Sequence, residues 1–136
     1  MKLSFKNISL TFAAGCVGGL VNMFAVWGFG VWGISQTLGV RLAPHLSVPW
    51  LYNRLIWGGI WGFIFLLPWK HLSLPTRGLF CSLAPSLVQM LVVFPYQAHK
   101  GMLGLQLGHL TPALVLFFNA VWGLAAVFWL YLSGER

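Results

Sequence analysis

The sequence predicts an all-α integral membrane protein with four transmembrane helices. Three observations lead there. The chain is 59% hydrophobic and only 7% charged over 136 residues, whereas soluble domains run near a quarter charged. Its mean hydropathy is +0.83. Its uncharged runs, 7–40, 55–69, 78–99 and 101–134, leave room for four spans of about 20 largely apolar residues each. Those runs are apolar all round, unlike the alternating strands of a membrane barrel.

The first span is expected over 8–32. Ala13-Ala14-Gly15-Cys16 resembles a lipoprotein cleavage box, but the apolar run continues some sixteen residues beyond Cys16. A retained helix is therefore expected rather than a cleaved signal. The second span is placed at 50–69, between Pro49 and Pro68, and the third at 79–96, crossed by Pro85. The fourth, 112–132, is strongly aromatic through Phe117, Phe118, Trp122, Phe128 and Trp129. Trp32, Trp50, Trp69 and Trp129 fall near span ends, as in an interfacial belt.

The connectors 34–48 and 97–110 are too short for spans and too apolar for solvated loops. Re-entrant or interfacial segments fit them. Ser47 and Thr111 suit helix N-caps, with Pro49 and Pro112 in the first turns.

The cations set an orientation. Lys2, Lys6, Lys70, Arg77 and Arg136 share one side, and Arg41, Arg54 and Lys100 the other. The positive-inside rule then puts both termini in the cytoplasm, across a plasma or inner membrane.

The chain also reads as an internal repeat, with halves at about 8–69 and 78–132. Gly15, Gly19, Asn22 and Met23 align with Ser82, Ser86, Gln89 and Met90. Later matches pair Trp32-Gly33 with Lys100-Gly101, Leu38-Gly39 with Leu107-Gly108 and His45 with His109. Asn53 and Trp57-Gly58 then pair with Asn119 and Trp122-Gly123. A duplication of this kind implies two parallel helix hairpins related by a pseudo-two-fold axis along the membrane normal.

Gly15, Gly19 and Asn22 lie on one helical stripe, as do Ser82, Ser86 and Gln89. Small residues at this spacing let backbones approach in lipid, which predicts a tight contact between the first and third helices. In the other reading Asn22 and Gln89 face each other and hold a polar solute. Gly58 and Gly62 repeat the spacing in the second helix, and Gly104 and Gly108 in the last connector.

His45 and His109, at matching positions, are the candidate pair for a haem or metal. His71 and His99 stand outside the pattern. Cys16 and Cys81 read as small apolar residues, and a disulfide is not expected on the reducing side. Arg54 lies about a turn into the second helix, where charge is costly. The only acid, Glu135, belongs to the opposite side. Arg54 and Lys100 must therefore be served by anionic lipid, by backbone carbonyls or by an acidic group on another chain.

With one acid and no Asp, chemistry that needs an internal carboxylate is excluded: paired-carboxylate hydrolysis, Ser-His-Asp triads and Mg²⁺ or Ca²⁺ cages. Nucleic acid is not an expected partner, because the +7 charge is spread along an apolar chain. The first functional reading is a non-catalytic accessory or structural subunit of a larger membrane complex, in contact with anionic headgroups and other subunits or further copies. The alternative is a small homo-oligomeric transporter or channel whose pathway is lined by Asn22, Gln89, Asn53 and Asn119. Third comes an enzyme handling a lipid or quinone through the histidines. No cofactor is predicted; a haem or pigment would need the histidine pair or the aromatic fourth helix.

Overall fold

A computed structural model describes residues 3–41, 44, 46–69 and 71–134. Among them the chain is all-helical, without strands. Three helical stretches are long and apolar enough to cross a membrane: Phe5–Val31, Leu74–Gln97 and Thr111–Leu132. These mark a membrane protein.

Helix α1 (Phe5–Val31) begins at Ser4, whose hydroxyl accepts the Asn7 backbone N–H at 3.2 Å. This satisfies one of the amides orphaned at any helix start. A short helix α2 (Ile34–Thr37) follows, entered through Gly33 at a left-handed φ of 77°. Helix α3 (Val48–Gly62) is capped by Ser47, with Pro49 in its first turn. It tightens into a 3₁₀ turn at Phe63–Leu66. The second span expected at 50–69 is thus a fifteen-residue α-helix with a turn of different pitch appended.

The third stretch starts earlier than expected and is broken. Helix α4 (Leu74–Cys81) stops at Ser82, and α5 (Leu83–Val88) restarts at once. Pro85 has no N–H for the Cys81 carbonyl four residues back, which accounts for a break at this point. From Gln89 to Gln97 the chain is a π-helix that contains Pro95. Arg77, expected in a loop, is buried in α4 and donates to the Trp69 and Leu72 carbonyls at 3.2 and 3.3 Å. Its charge ties the Trp69 and Leu72 carbonyls to the helix. Helix α6 (Thr111–Leu132) completes the fold. Thr111 is its first residue and is fully buried with an unpartnered hydroxyl; the cap position falls to Leu110.

Helices α1 and α6 form a central pair. Helix α3 packs on α1, and α4 and α5 pack on α6. The order across the molecule is therefore α3, α1, α6, α4–α5: an arc rather than a closed bundle. A pseudo-two-fold would match the α1–α6 contact with one between α3 and α5. No contact of comparable extent is made there.

The tight small-residue contact lies between α1 and α3, not between the first and third expected spans. A Cβ on Gly15 would sit 2.2 Å from the Gly58 carbonyl oxygen, and one on Gly62 would sit 2.3 Å from that of Thr11. Only glycine allows this approach. Ser82 and Ser86 instead face α6, where Gly123 and Gly78 meet carbonyl to backbone. Trp122 joins the two halves: its indole N–H donates to the Gly15 carbonyl at 3.1 Å, and its ring stacks on Phe65 at 5.7 Å.

The connectors pack on each other. The Arg41 backbone N–H donates to the Leu107 carbonyl at 2.8 Å, and its guanidinium donates to the Gln106 carbonyl. Gly108, at φ 151°, lies against Gly39 and Val40. Val40 is buried against Val26, Leu114 and Phe118, so this cap closes one end of the central pair.

Candidate functional site

Between α3 and the α5–π segment, with α1 and α6 behind, lies a cavity of about 390 Å³. It occupies the place where a symmetric bundle would have its missing contact. Each of the four amides singled out in the sequence, Asn22, Asn53, Gln89 and Asn119, lines it, as do Arg54 and Gln97. Trp57, Trp61, Trp122, Pro85, Val88 and Val92 supply apolar walls.

Two hydrogen-bonded groups hold the polar wall. In one, Asn22 donates to the Phe118 carbonyl at 2.8 Å and accepts from the Arg54 guanidinium at 3.1 Å. In the other, Asn119 donates to Ser86 Oγ at 3.0 Å and to Gln89 Oε1 at 3.3 Å. The Ser86 hydroxyl itself donates to the Ser82 carbonyl at 2.9 Å. Asn22 lies about 6 Å and Asn119 about 4 Å from the middle of its helix, both toward the connector end, at 1.5 Å rise per residue. The polar wall is thus near the middle of the two central helices.

Arg54 does have intrachain partners. Besides Asn22, its guanidinium sits over the Trp50 ring at 5.6 Å. It lies nearly two turns into α3, deeper than expected, and its charge is met by an amide oxygen and a π face rather than by an acid. Among the described residues it is the one charged group on the cavity wall. Ordered amides stabilise such a cation without neutralising it.

The other candidates fall elsewhere. Lys100 is exposed in the second connector. His109 is exposed just before α6, and His45 lies outside the described residues. Among the described residues no group of three His, Cys, Asp or Glu could hold a metal. Cys16 and Cys81 are free thiols in different helices. Gly15 and Gly19 build the α1–α3 seam, although Gly19 also reaches the cavity floor.

Gln97, Val92 and Trp61 were not legible as site residues. The π turn is what brings Gln97 and Val92 into the wall, and π-helical turns often mark functional sites. Pro95 within an apolar run was the available signal.

No protein-family model, curated protein or solved structure matches this chain.

Proposed function

We propose that this protein is a small multi-pass transporter or channel whose solute pathway is the amide-lined cavity. The supporting observation is convergence. Asn22, Asn53, Gln89 and Asn119 come from four separate helical segments and share one wall with Arg54. Packing alone needs such amides paired with one another. Here Asn53 and Gln97 line the cavity as exposed residues and make no side-chain hydrogen bond among the described residues. Polar side chains at membrane depth that face a cavity are a general mark of a solute path.

In this reading α3 with its 3₁₀ turn is the fourth span. Fifteen α residues and four 3₁₀ residues reach about 30 Å, the hydrocarbon thickness. The termini are cytoplasmic and the connector cap faces outward. No catalytic step is assigned.

A second reading, an accessory subunit of a larger complex, is favoured by one observation. The groove beside α3 leaves Trp57 and Phe63 exposed, and a partner helix would cover them.

Substituted-cysteine labelling tests the pathway. In a Cys16→Ser, Cys81→Ser background, Asn119→Cys should react with a membrane-impermeant thiol reagent. Phe118→Cys, buried on the same helix away from the cavity wall, should not. Equal protection of both sites would remove the pathway and leave the amides a packing role.

A further inference from the structure

We propose that the cavity takes the headgroup of an anionic amphiphile, whose hydrocarbon tail lies along the outer face of α3. This names the ligand class for the pathway above and rests on that reading.

The charge argument comes first. Arg54 lines the cavity as a cation without an acidic partner among the described residues, and the only acid in the sequence is Glu135. Asn22 and Trp50 engage it without cancelling its charge. A guanidinium has five N–H donors, and one of them is used here. Asn53 and Gln97 line the same wall without side-chain partners and add amide donors. A phosphate or carboxylate fits such a set; a cation is repelled, and a neutral solute leaves the charge unmet.

The shape argument comes second. An apolar groove of about 500 Å³ adjoins the cavity and is lined by Trp57, Ile60, Trp61, Phe63, Ile64 and Leu67. Trp57 and Trp61 line both spaces, so the polar chamber and the groove are neighbours along α3. From Arg54 to Leu67 the path is about 20 Å at α and 3₁₀ rises. That exceeds half the hydrocarbon thickness of about 30 Å. A free anion would fill only the chamber. A lipid with its head in the chamber and its chain running along α3 past the bilayer centre to the 3₁₀ end fills both.

Native mass spectrometry of the full chain in a neutral detergent tests this, with phosphatidylglycerol and phosphatidylcholine of identical acyl chains as probes. Phosphatidylglycerol should be retained about tenfold more strongly. Arg54→Gln should erase that preference, weakening phosphatidylglycerol more than the zwitterionic phosphatidylcholine, and Arg54→Lys should restore part of it. Trp57→Ala should weaken both lipids. The inference is overturned by equal retention of the two lipids, by a preference that survives Arg54→Gln, or by displacement of the lipid with millimolar inorganic phosphate. A lipid-free homodimer would overturn it too, by placing a second copy in the groove. Failure of the pathway itself reads out separately: an unlabelled Asn119→Cys with an intact lipid preference supports the bound amphiphile as a static ligand. A labelled cavity without lipid preference removes only the amphiphile.

Discussion

The two outer helices are held in opposite ways. Helix α3 lies on α1 backbone to backbone, with Gly15, Gly19, Gly58 and Gly62 forming the seam. The α4–α5 stretch touches α6 closely at one glycine pair, Gly78 and Gly123, and then relies on side-chain hydrogen bonds from Asn119. One wall of the cavity is a continuous α-helix locked to its neighbour. The other is broken at Ser82 and wound as a π-helix from Gln89. In lipid, helix association gains little from the hydrophobic effect and depends on packing and polar contacts. The glycine seam should therefore be the stiff wall, and the π segment the one able to move.

Gly15→Val probes the stiff wall most severely. Its Cβ would meet the Gly58 carbonyl at 2.2 Å, so α1 and α3 must part. A loss of about 3 kcal/mol or more is expected, at the upper end of overpacking costs, read as a fall in detergent Tm. Gly123→Val meets the Gly78 carbonyl at the same 2.2 Å. The break at Ser82 lets α4 yield independently of α5, so the loss should be smaller, about 1–2 kcal/mol. Equal losses would break the contrast between the walls.

Asn119→Leu removes both hydrogen bonds to the flexible wall. Interhelical bonds of this kind contribute about 0.6 kcal/mol on average in lipid, so about 1 kcal/mol is expected, measured by steric trapping in bicelles. A loss as large as that of Gly15→Val would mean that the polar contact, not the glycine seam, holds the fold.

The smallest effect belongs to Thr111→Val. The Thr111 hydroxyl is buried without a partner among the described residues, and an unsatisfied buried hydroxyl is costly. The near-isosteric valine should leave Tm unchanged or slightly raised. A clear fall would point to a bridging water at that site.

The contrast also marks what the sequence could reveal. Charge-free runs locate α1 and α6 because nothing interrupts them. Gly15, Gly19, Gly58 and Gly62 announce that backbones approach, but a stripe does not name its partner, and the partner was α3. The four amides were legible as a set because polar residues are rare in these runs. Their meeting with Arg54 depends on an arc of helices that no local pattern encodes. Arg77 was misplaced because a cation suggests a loop, and burial against carbonyls depends on the fold of the next turn. The π segment was hidden for a related reason: apolar residues all round give no periodicity by which a wider helix could be told from an α-helix.

Hydrogen–deuterium exchange of the protein in lipid nanodiscs tests the central claim most directly: that the cavity lies between a locked wall and a mobile one. Backbone amides of 89–97 should exchange at least about tenfold faster than those of 52–62, as weakly held, water-facing segments do. Equal, slow exchange in both segments would contradict it.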